Sequence, residues 1–272
     1  MSREEAFFNS VYDEQSRLSY AGPCPEKRVE SLREETKSWL AASGLSKMSS
    51  ALVLEVGCGL AYLKDIHPGW HGVDVSASAV RRVKERYGDG VRIYQADAAK
   101  LPFPSEHFDG IYSWAVFEHV QNPSACFQEV DRVCRKGGCV LIAPAWNCRS
   151  WTVKKLPQSP YGSLGFADRL RKLTIPLREH LFFRALRCFP GRVYDEVRLL
   201  LNKPLELRFK PLSPQWDLIL SYGHVSDDDA VADIDPHSAV CFFKSRGYDV
   251  ISHPAFFSRV LARHEPVVAV KR

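Results

Sequence analysis

No apolar run in this 272-residue chain approaches the roughly 20 residues that a helix needs to cross a bilayer. A membrane-spanning protein of the helical kind is excluded on that ground. Eight cysteines are present, at 24, 58, 126, 134, 139, 148, 188 and 241, but no two stand as C-x-x-C. A disulfide framework and a paired zinc motif both lose their usual signature, and the cysteines read as reduced thiols. Cys134 and Cys139 alone sit at a spacing that a metal could use, and no second pair follows them. There is no internal repeat of 20–50 residues and no low-complexity tract, so a solenoid is excluded. With 45% hydrophobic and 25% charged residues, a disordered, collagen-like or coiled-coil chain is excluded too. The N-terminal MSREEAFFNS puts Glu4 and Glu5 where a signal peptide carries an apolar stretch, which points to a cytoplasmic protein.

What is present is an ordinary globular composition, with enough residues to bury a large core. The net charge of +5 is unevenly placed. Between Arg149 and Lys210 stand 14 basic residues against five acidic ones, a net +9, which leaves −4 for the remainder. This segment is a candidate for meeting something anionic, although a solvated basic face is the plainer meaning of such a run.

The pattern along the chain changes three times. Residues 26–42 place Val29, Leu32, Thr36, Trp39 and Leu40 at helical spacing, with Gly44 as a stop, and Phe7, Phe8, Val11 and Tyr12 suggest a shorter helix before it. From residue 51, short apolar runs alternate with helical stretches. Strands are expected at 51–56, 70–75, 91–96, 108–113 and 139–143, and helices at 76–87, 115–119 and 123–135, the last ended by Arg135-Lys136-Gly137-Gly138. That alternation calls for a doubly wound, mostly parallel α/β sheet. The basic segment carries apolar residues at helical steps (Phe166, Leu170, Leu173, Leu177; Val193, Val197, Leu200), and Pro176, Pro190 and Pro204 are expected to break it into short helices. Core patterning then resumes with a helix at 236–246 and strands at 248–252 and 266–270. The organisation expected is an N-terminal helical segment (1–48), a nucleoside-binding core (49–148), a basic helical insert (149–214) and a C-terminal completion of the core (215–272).

The most informative stretch is Leu54-Glu55-Val56-Gly57-Cys58-Gly59-Leu60-Ala61. A strand running into G-x-G makes a tight turn, and the missing side chains let a ligand lie against backbone N–H groups. Asp74 closes the second strand 17 residues after Gly57, where a carboxylate accepts hydrogen bonds from ribose hydroxyls. Tyr62 occupies the place where a dinucleotide fingerprint needs a small residue, and the Lys-Ser/Thr of a P-loop is missing.

With Asp97-Ala98 after the third strand, this pattern resembles the class I S-adenosylmethionine-dependent methyltransferases, in their small-molecule branch (methyltransferase type 11-like). Leu101-Pro102-Phe103, Phe108-Asp109, Phe117-Glu118-His119-Val120, Glu129 with Arg132-Val133, and Lys136-Gly137-Gly138 follow in that family's order. The likeness covers about residues 50–146. It implies a Rossmann-like seven-stranded sheet with N-terminal helices and a helical lid insert, and S-adenosylmethionine as cofactor, with S-adenosylhomocysteine as product. Carried over residue by residue, it implies that Gly57, Cys58 and Gly59 approach the cofactor, with Glu55 near the methionine amino group. Asp74 and Val75 would hold the ribose, Asp97 and the Ala98 backbone the adenine, and Ser113, Trp114 and Ala115 the floor beside the sulfonium. Ala61 departs from the family's third glycine, a change of little cost unless the turn needs a positive φ.

Methyl transfer is largely in-line positioning with water excluded, and a hydroxyl acceptor also gains from a general base. His119, after the fourth strand, is the candidate base. Tyr12, Trp146, His224 and His237 are candidate acceptor contacts. The acidic run Asp227, Asp228, Asp229, Asp233 and Asp235 with His237 invites a metal but also suits a helix entry at Pro236, and no metal is assigned. The strand-four loop, Ser113-Trp114-Ala115-Val116, lacks the Asp/Asn-Pro-Pro-aromatic pattern of DNA amino-methylating enzymes, so DNA is not expected and RNA is a lesser alternative. The expected acceptor is a small or glycan-type molecule, anionic or sugar-containing acceptors and peripheral membrane contact being compatible with the basic insert. A non-catalytic cofactor-binding protein and an NAD-linked oxidoreductase are the other classes. Oligomeric state is not legible.

Overall fold

The computed structural model describes residues 3–13, 26–216 and 229–272. Its strands, numbered along the chain, are β1 Val53–Val56, β2 Trp70–Asp74, β3 Ile93–Gln95, β4 Phe108–Trp114, β5 Cys134–Ala143, β6 Phe209–Pro211, β7 Ala232–Ile234, β8 Tyr248–Val250 and β9 Val267–Lys271. Seven of them form one sheet in the order β3-β2-β1-β4-β5-β9-β8. The pairs from β3 to β5 are parallel, and β9 lies antiparallel between β5 and β8. β6 and β7 form a separate antiparallel pair that the sequence patterning did not suggest.

β1 is buried along its whole length, as a central parallel strand covered on both faces must be. Its residues alternate between two cores. Leu54 and Val56 join Ile111, Val140 and Ile142 under α4 (Pro123–Val133) and α9 (Pro236–Ser245). Val53 joins Tyr112 and Leu141 against Trp39 and Leu40 of α2 (Glu26–Ala42) and Val80 and Val83 of α3 (Ala77–Tyr87). The helix entries carry the expected capping chemistry. Ser76 accepts from the Ala79 amide, Asn122 from Ala125, and Asp235 from His237 with Pro236 in the first turn.

Three expectations are corrected. The stretch 115–119 is a single 3-10 turn, Phe117–His119. The helix α4 stops at Val133, and Arg135 to Gly138 belong to β5, where Gly137 takes a φ of 77° beside a register shift between β4 and β5. Pro190 does not end a helix: α8 runs unbroken from Leu181 to Leu200. A proline inside a helix removes one backbone hydrogen bond and costs on the order of 3 kcal/mol. Here both turns after it are pinned from outside. Arg192 donates to Asp235 and to the carbonyls of Val260 and Ala262, and Glu196 takes a bidentate pair from Arg259 of α10 (Phe256–Val260) at 2.9 and 2.6 Å.

The insert reverses the usual amphipathic order. α8 buries Arg192, Asp195 and Glu196 and leaves Phe182 64% and Leu200 82% exposed. On α6 (Phe166–Leu173) and α7 (Ile175–Glu179), Phe166, Leu170, Leu173 and Leu177 are exposed as well. Among the described residues, no helix is long and apolar enough to cross a membrane.

Candidate functional site

A cavity of about 260 Å³ opens at the carboxyl ends of β1 to β4. This is where the strand order reverses around β1, the position at which open α/β sheets bind ligands. Its floor is Gly57 after β1, Asp74 and Val75 after β2, and Ala115 and Val116 after β4, with Asp97, Ala98 and Ala99 along one wall.

The turn after β1 is shaped by backbone conformation. Gly57 has φ +74°, and a methyl group there would lie 2.2 Å from a Val116 methyl. Gly59 has φ +50°, and a methyl group there would meet the Tyr12 hydroxyl at 2.8 Å. Ala61 also adopts a positive φ, 54°, so the turn does require the conformation in which a third glycine would be free of strain. Its methyl group is fully buried, and that burial, worth about 0.8 kcal/mol, offsets much of the cost.

Asp74 ties this turn to the next helix. One carboxylate oxygen accepts the Gly59 amide at 2.8 Å and the other the Ser76 amide at 2.9 Å. Burial pushes its pKa up, opposed by those two amides. Asp97 accepts from the Ala99 amide at 2.8 Å, which sets the wall of the cavity by an Asx turn.

The roof is α1 (Arg3–Val11), which contributes Glu5 and Phe8, with Tyr12 just beyond it. Asn9 holds it in place by accepting from the Ser76 hydroxyl at 2.9 Å and the Ser78 amide at 3.2 Å, while Arg82 donates to the Tyr12 carbonyl. Phe7 packs on Trp216 with ring centroids 4.9 Å apart. Neither Phe8 nor Asn9 was singled out by motif reading, because a roof helix has no family signature; its apolar spacing was the available signal.

His119 lines the cavity at the end of the 3-10 turn after β4. Its Nδ1 lies 3.5 Å from an Asp229 carboxylate oxygen and its Nε2 3.7 Å from Glu118, with the Phe8 ring edge-on at 5.6 Å. Both carboxylates are almost fully buried. Glu118 accepts the Ala145 amide, and its carbonyl accepts the Val231 amide, so β4, β5 and the segment entering β7 meet around the imidazole.

The other candidate residues lie elsewhere. Glu55 is not among the residues lining the cavity: it accepts from the Trp70 indole at 2.8 Å and the Tyr112 hydroxyl at 3.0 Å on the α2 side of the sheet. Cys58 is buried in the same core. Trp114 also faces α2, its indole donating to Thr36 at 3.0 Å, because the two-residue period of β4 puts it on the side of Tyr112. Ser113 points the other way and donates to the Val56 carbonyl. Trp146 is buried in the large core, and His237 lies under α8, 3.3 Å from Glu196. His224 falls outside the described residues.

Burial pushes the Glu55 carboxyl up from 4.5 to about 8, despite its two donors. Folding thus favours the protonated form, a contribution complete below the ordinary carboxyl pKa and lost as pH rises through the raised one. The melting temperature is expected to fall between about pH 5 and about pH 8, and Glu55→Gln, whose amide oxygen still accepts from Trp70 and Tyr112, should remove most of that fall. Identical pH dependence in both proteins would contradict the assignment.

Among the described residues, Glu196, His237 and Cys241 bring three possible metal-ligand atoms within 4.8 Å of one another. Glu196 is already held by Arg259, a cation where a metal would have to sit. Cys134 and Cys139 belong to opposite cores, and burial pushes both thiols up, to about 12 and about 11. They do not form a thiolate pair.

Residues 54–142 match the family model described as "Methyltransferase domain". The chain is 30% identical to the O-methyltransferase resE of Aspergillus sclerotiorum over 131 residues, 44% of this chain and 49% of the relative. It is 32% identical to the phosphatidylethanolamine N-methyltransferase of Cereibacter sphaeroides over 124 residues, 43% of this chain and 58% of that protein. A solved SAM-dependent methyltransferase from Aquifex aeolicus aligns over 53% of this chain and 73% of its own, at 19% identity and a TM-score of 0.37. The chain spans about half the length of the curated relatives it matches. Residues 54–142 thus carry a methyltransferase domain. The cofactor of that domain is S-adenosylmethionine.

The residues present fit that cofactor. The glycine turn leaves room that a Cβ would fill, Asp74 at the end of β2 and Asp97 just after β3 supply carboxylate acceptors, and Val75, Ala98 and Val120 supply apolar surface for a flat base.

Proposed function

We propose that the whole chain transfers the methyl group of S-adenosylmethionine to an oxygen of a small-molecule or glycan-type acceptor, with His119 as general base. When bound, the cofactor supplies an activated methyl group on a good leaving group. The chain's own contribution is orientation, exclusion of water and removal of a proton. In this reading Gly57 and Gly59 admit the cofactor to the backbone, Asp74 accepts from the ribose hydroxyls, and Asp97 with Ala98 receives the adenine edge. α1, through Phe8 and Tyr12, covers the cavity.

The observation that carries the choice of oxygen is His119 on the cavity wall with Asp229 3.5 Å from its Nδ1. A carboxylate on that nitrogen favours the tautomer that leaves the Nε2 lone pair to take a proton, and it steadies the resulting cation together with Glu118, 3.7 Å from Nε2. A sulfonium methyl group moving to an amine that is already neutral has less need of such a base. The names of the relatives include both O- and N-methyltransferases, so the acceptor atom rests on this geometry alone.

The test is release of S-adenosylhomocysteine across a panel of phenols, sugar hydroxyls, carboxylic acids, amines and an RNA. Turnover with hydroxyl acceptors is the expected result. Turnover with amines or RNA only would overturn the oxygen assignment, and cofactor binding with no turnover on any acceptor would favour a non-catalytic binding protein.

A further inference from the structure

A second cavity, of about 320 Å³, lies between the basic insert and the C-terminal part of the core and shares no lining residue with the first. Arg178, Arg184, Arg187, Lys210 and Arg263 line it, with Asp233 as the acid among them. Two further arginines on its wall are already satisfied: Arg149 pairs with Glu179, and Arg192 with Asp235 at 2.6 Å. The five others are not. Arg178 donates to the Thr174 hydroxyl, and among the described residues no carboxylate lies in ion-pair contact with Arg184, Arg187, Lys210 or Arg263.

Like charges gathered in a concave, partly buried site repel one another unless an anion is shared between them. Burial lowers the Arg184 pKa first, and the charges of Arg149 and Arg263 lower it further, opposed by Cys188 and Glu179. The one acid cannot balance five cations, and burial pushes its own pKa up. α8 is held so that this arrangement persists. Its Arg192 and Glu196 are locked into ion pairs, which fixes the helical rotation that puts Arg184 and Arg187 on the cavity wall. The excess charge seen in the sequence of the insert is thus gathered in part into one hollow.

We propose that this cavity is a binding site for a multiply charged phosphate group, a phosphate monoester or diphosphate, held by the guanidinium groups of Arg184, Arg187 and Arg263 and the Lys210 ammonium. Planar guanidinium forks match phosphate oxygens in pairs, and three terminal oxygens with a double charge let one phosphate be shared among several of them, where a carboxylate has two oxygens and one charge. The apolar part of the wall, Phe189, Leu212 and Leu261, leaves room for carbon attached to the phosphate. The proposal is independent of methyl transfer. Its ligand has two possible sources, a soluble phosphate ester or the headgroup of a lipid.

The probe is inorganic pyrophosphate, titrated calorimetrically into the full chain at physiological ionic strength. Saturable binding is expected, weakened tenfold or more in Arg184→Gln/Arg187→Gln and little changed in Arg198→Gln/Lys203→Gln, which removes the same charge outside the cavity. Thermal melting of each variant reports folding and S-adenosylhomocysteine titration reports the cofactor site, so a failure of the methyltransferase reading would show in the second alone. No saturable binding by the unmodified chain, or equal loss in both double variants, would overturn the proposal. Phosphatidylcholine vesicles with and without phosphatidic acid distinguish the sources. Capture by the acidic vesicles that pyrophosphate displaces identifies a lipid headgroup, and no capture identifies a soluble ester. Capture that pyrophosphate does not displace would put phosphate recognition outside the cavity and count against it.

Discussion

His119→Gln is expected to lower the methyl-transfer rate on a hydroxyl acceptor by about 100-fold or more, while S-adenosylhomocysteine affinity stays within about twofold. The two readouts separate because the imidazole stands on the cavity wall, whereas the carboxylates and the glycine turn that would receive the nucleoside lie on other strands. Glutamine keeps the length and a polar end but cannot act as a base near neutral pH. The acid-side fall in rate, where a base takes up its proton, should disappear in the variant. Asp229→Asn should produce a smaller loss, since a neutral amide no longer steadies the cation formed when the base takes up a proton. A His119→Gln enzyme with nearly full rate and an unchanged pH profile would assign the residue to holding the loop, where its contacts with Glu118 and Phe8 already give it a structural part.

Asp74→Ala is expected to weaken S-adenosylhomocysteine by about 100-fold, close to 2.7 kcal/mol. Two losses combine. The ligand's hydroxyls lose a charged acceptor, each such hydrogen bond being worth roughly 1.5–3 kcal/mol. The turn loses its tie as well, because the same carboxylate accepts the Gly59 and Ser76 amides. Asp74→Asn retains an acceptor oxygen on one side only and should fall between the two. Thermal melting separates the contributions: a variant that melts like the parent yet fails to bind has lost the ligand contact, and a matching fall in both would trace the effect to the turn. Unchanged affinity in Asp74→Ala would remove the ribose role from this residue.

The sheet was legible because each parallel strand is a short apolar run ending in a turn residue, as in Leu54-Glu55-Val56-Gly57, and because burial on both faces leaves few polar interruptions. The cleft at the strand ends was legible for the same reason, since backbone geometry after β1 dictates glycine and the fold puts ligands at strand ends. Side-chain direction was less so. Trp114 and Ser113 are neighbours in sequence, yet one faces α2 and the other the Val56 carbonyl, and a motif that runs across both does not say which way each turns. Glu55 reads as a ligand contact by position, while its actual donors, Trp70 and Tyr112, come from two other strands.

The insert was the least legible part. Helical spacing of Val193, Val197 and Leu200 implied an apolar stripe turned inward, but ion pairs from Asp235, Arg208 and Arg259 hold the charged side of α8 inside instead. Those partners are scattered from residue 208 to residue 259, so nothing local could announce them. They also explain why Pro190 is tolerated: tertiary contacts on the following turns carry the helix past the missing amide. His119 and Asp229 illustrate the same limit at the site. Their 110-residue separation hides a 3.5 Å approach.

A glycine turn, Asp74 and Asp97 that form a site for S-adenosylmethionine and not for a dinucleotide must tell the two ligands apart in solution. Calorimetric titration of the unmodified chain with S-adenosylhomocysteine and, in parallel, with NADH tests this most directly. Micromolar binding of S-adenosylhomocysteine with no saturable binding of NADH is the predicted result; binding of NADH with none of S-adenosylhomocysteine would contradict the account.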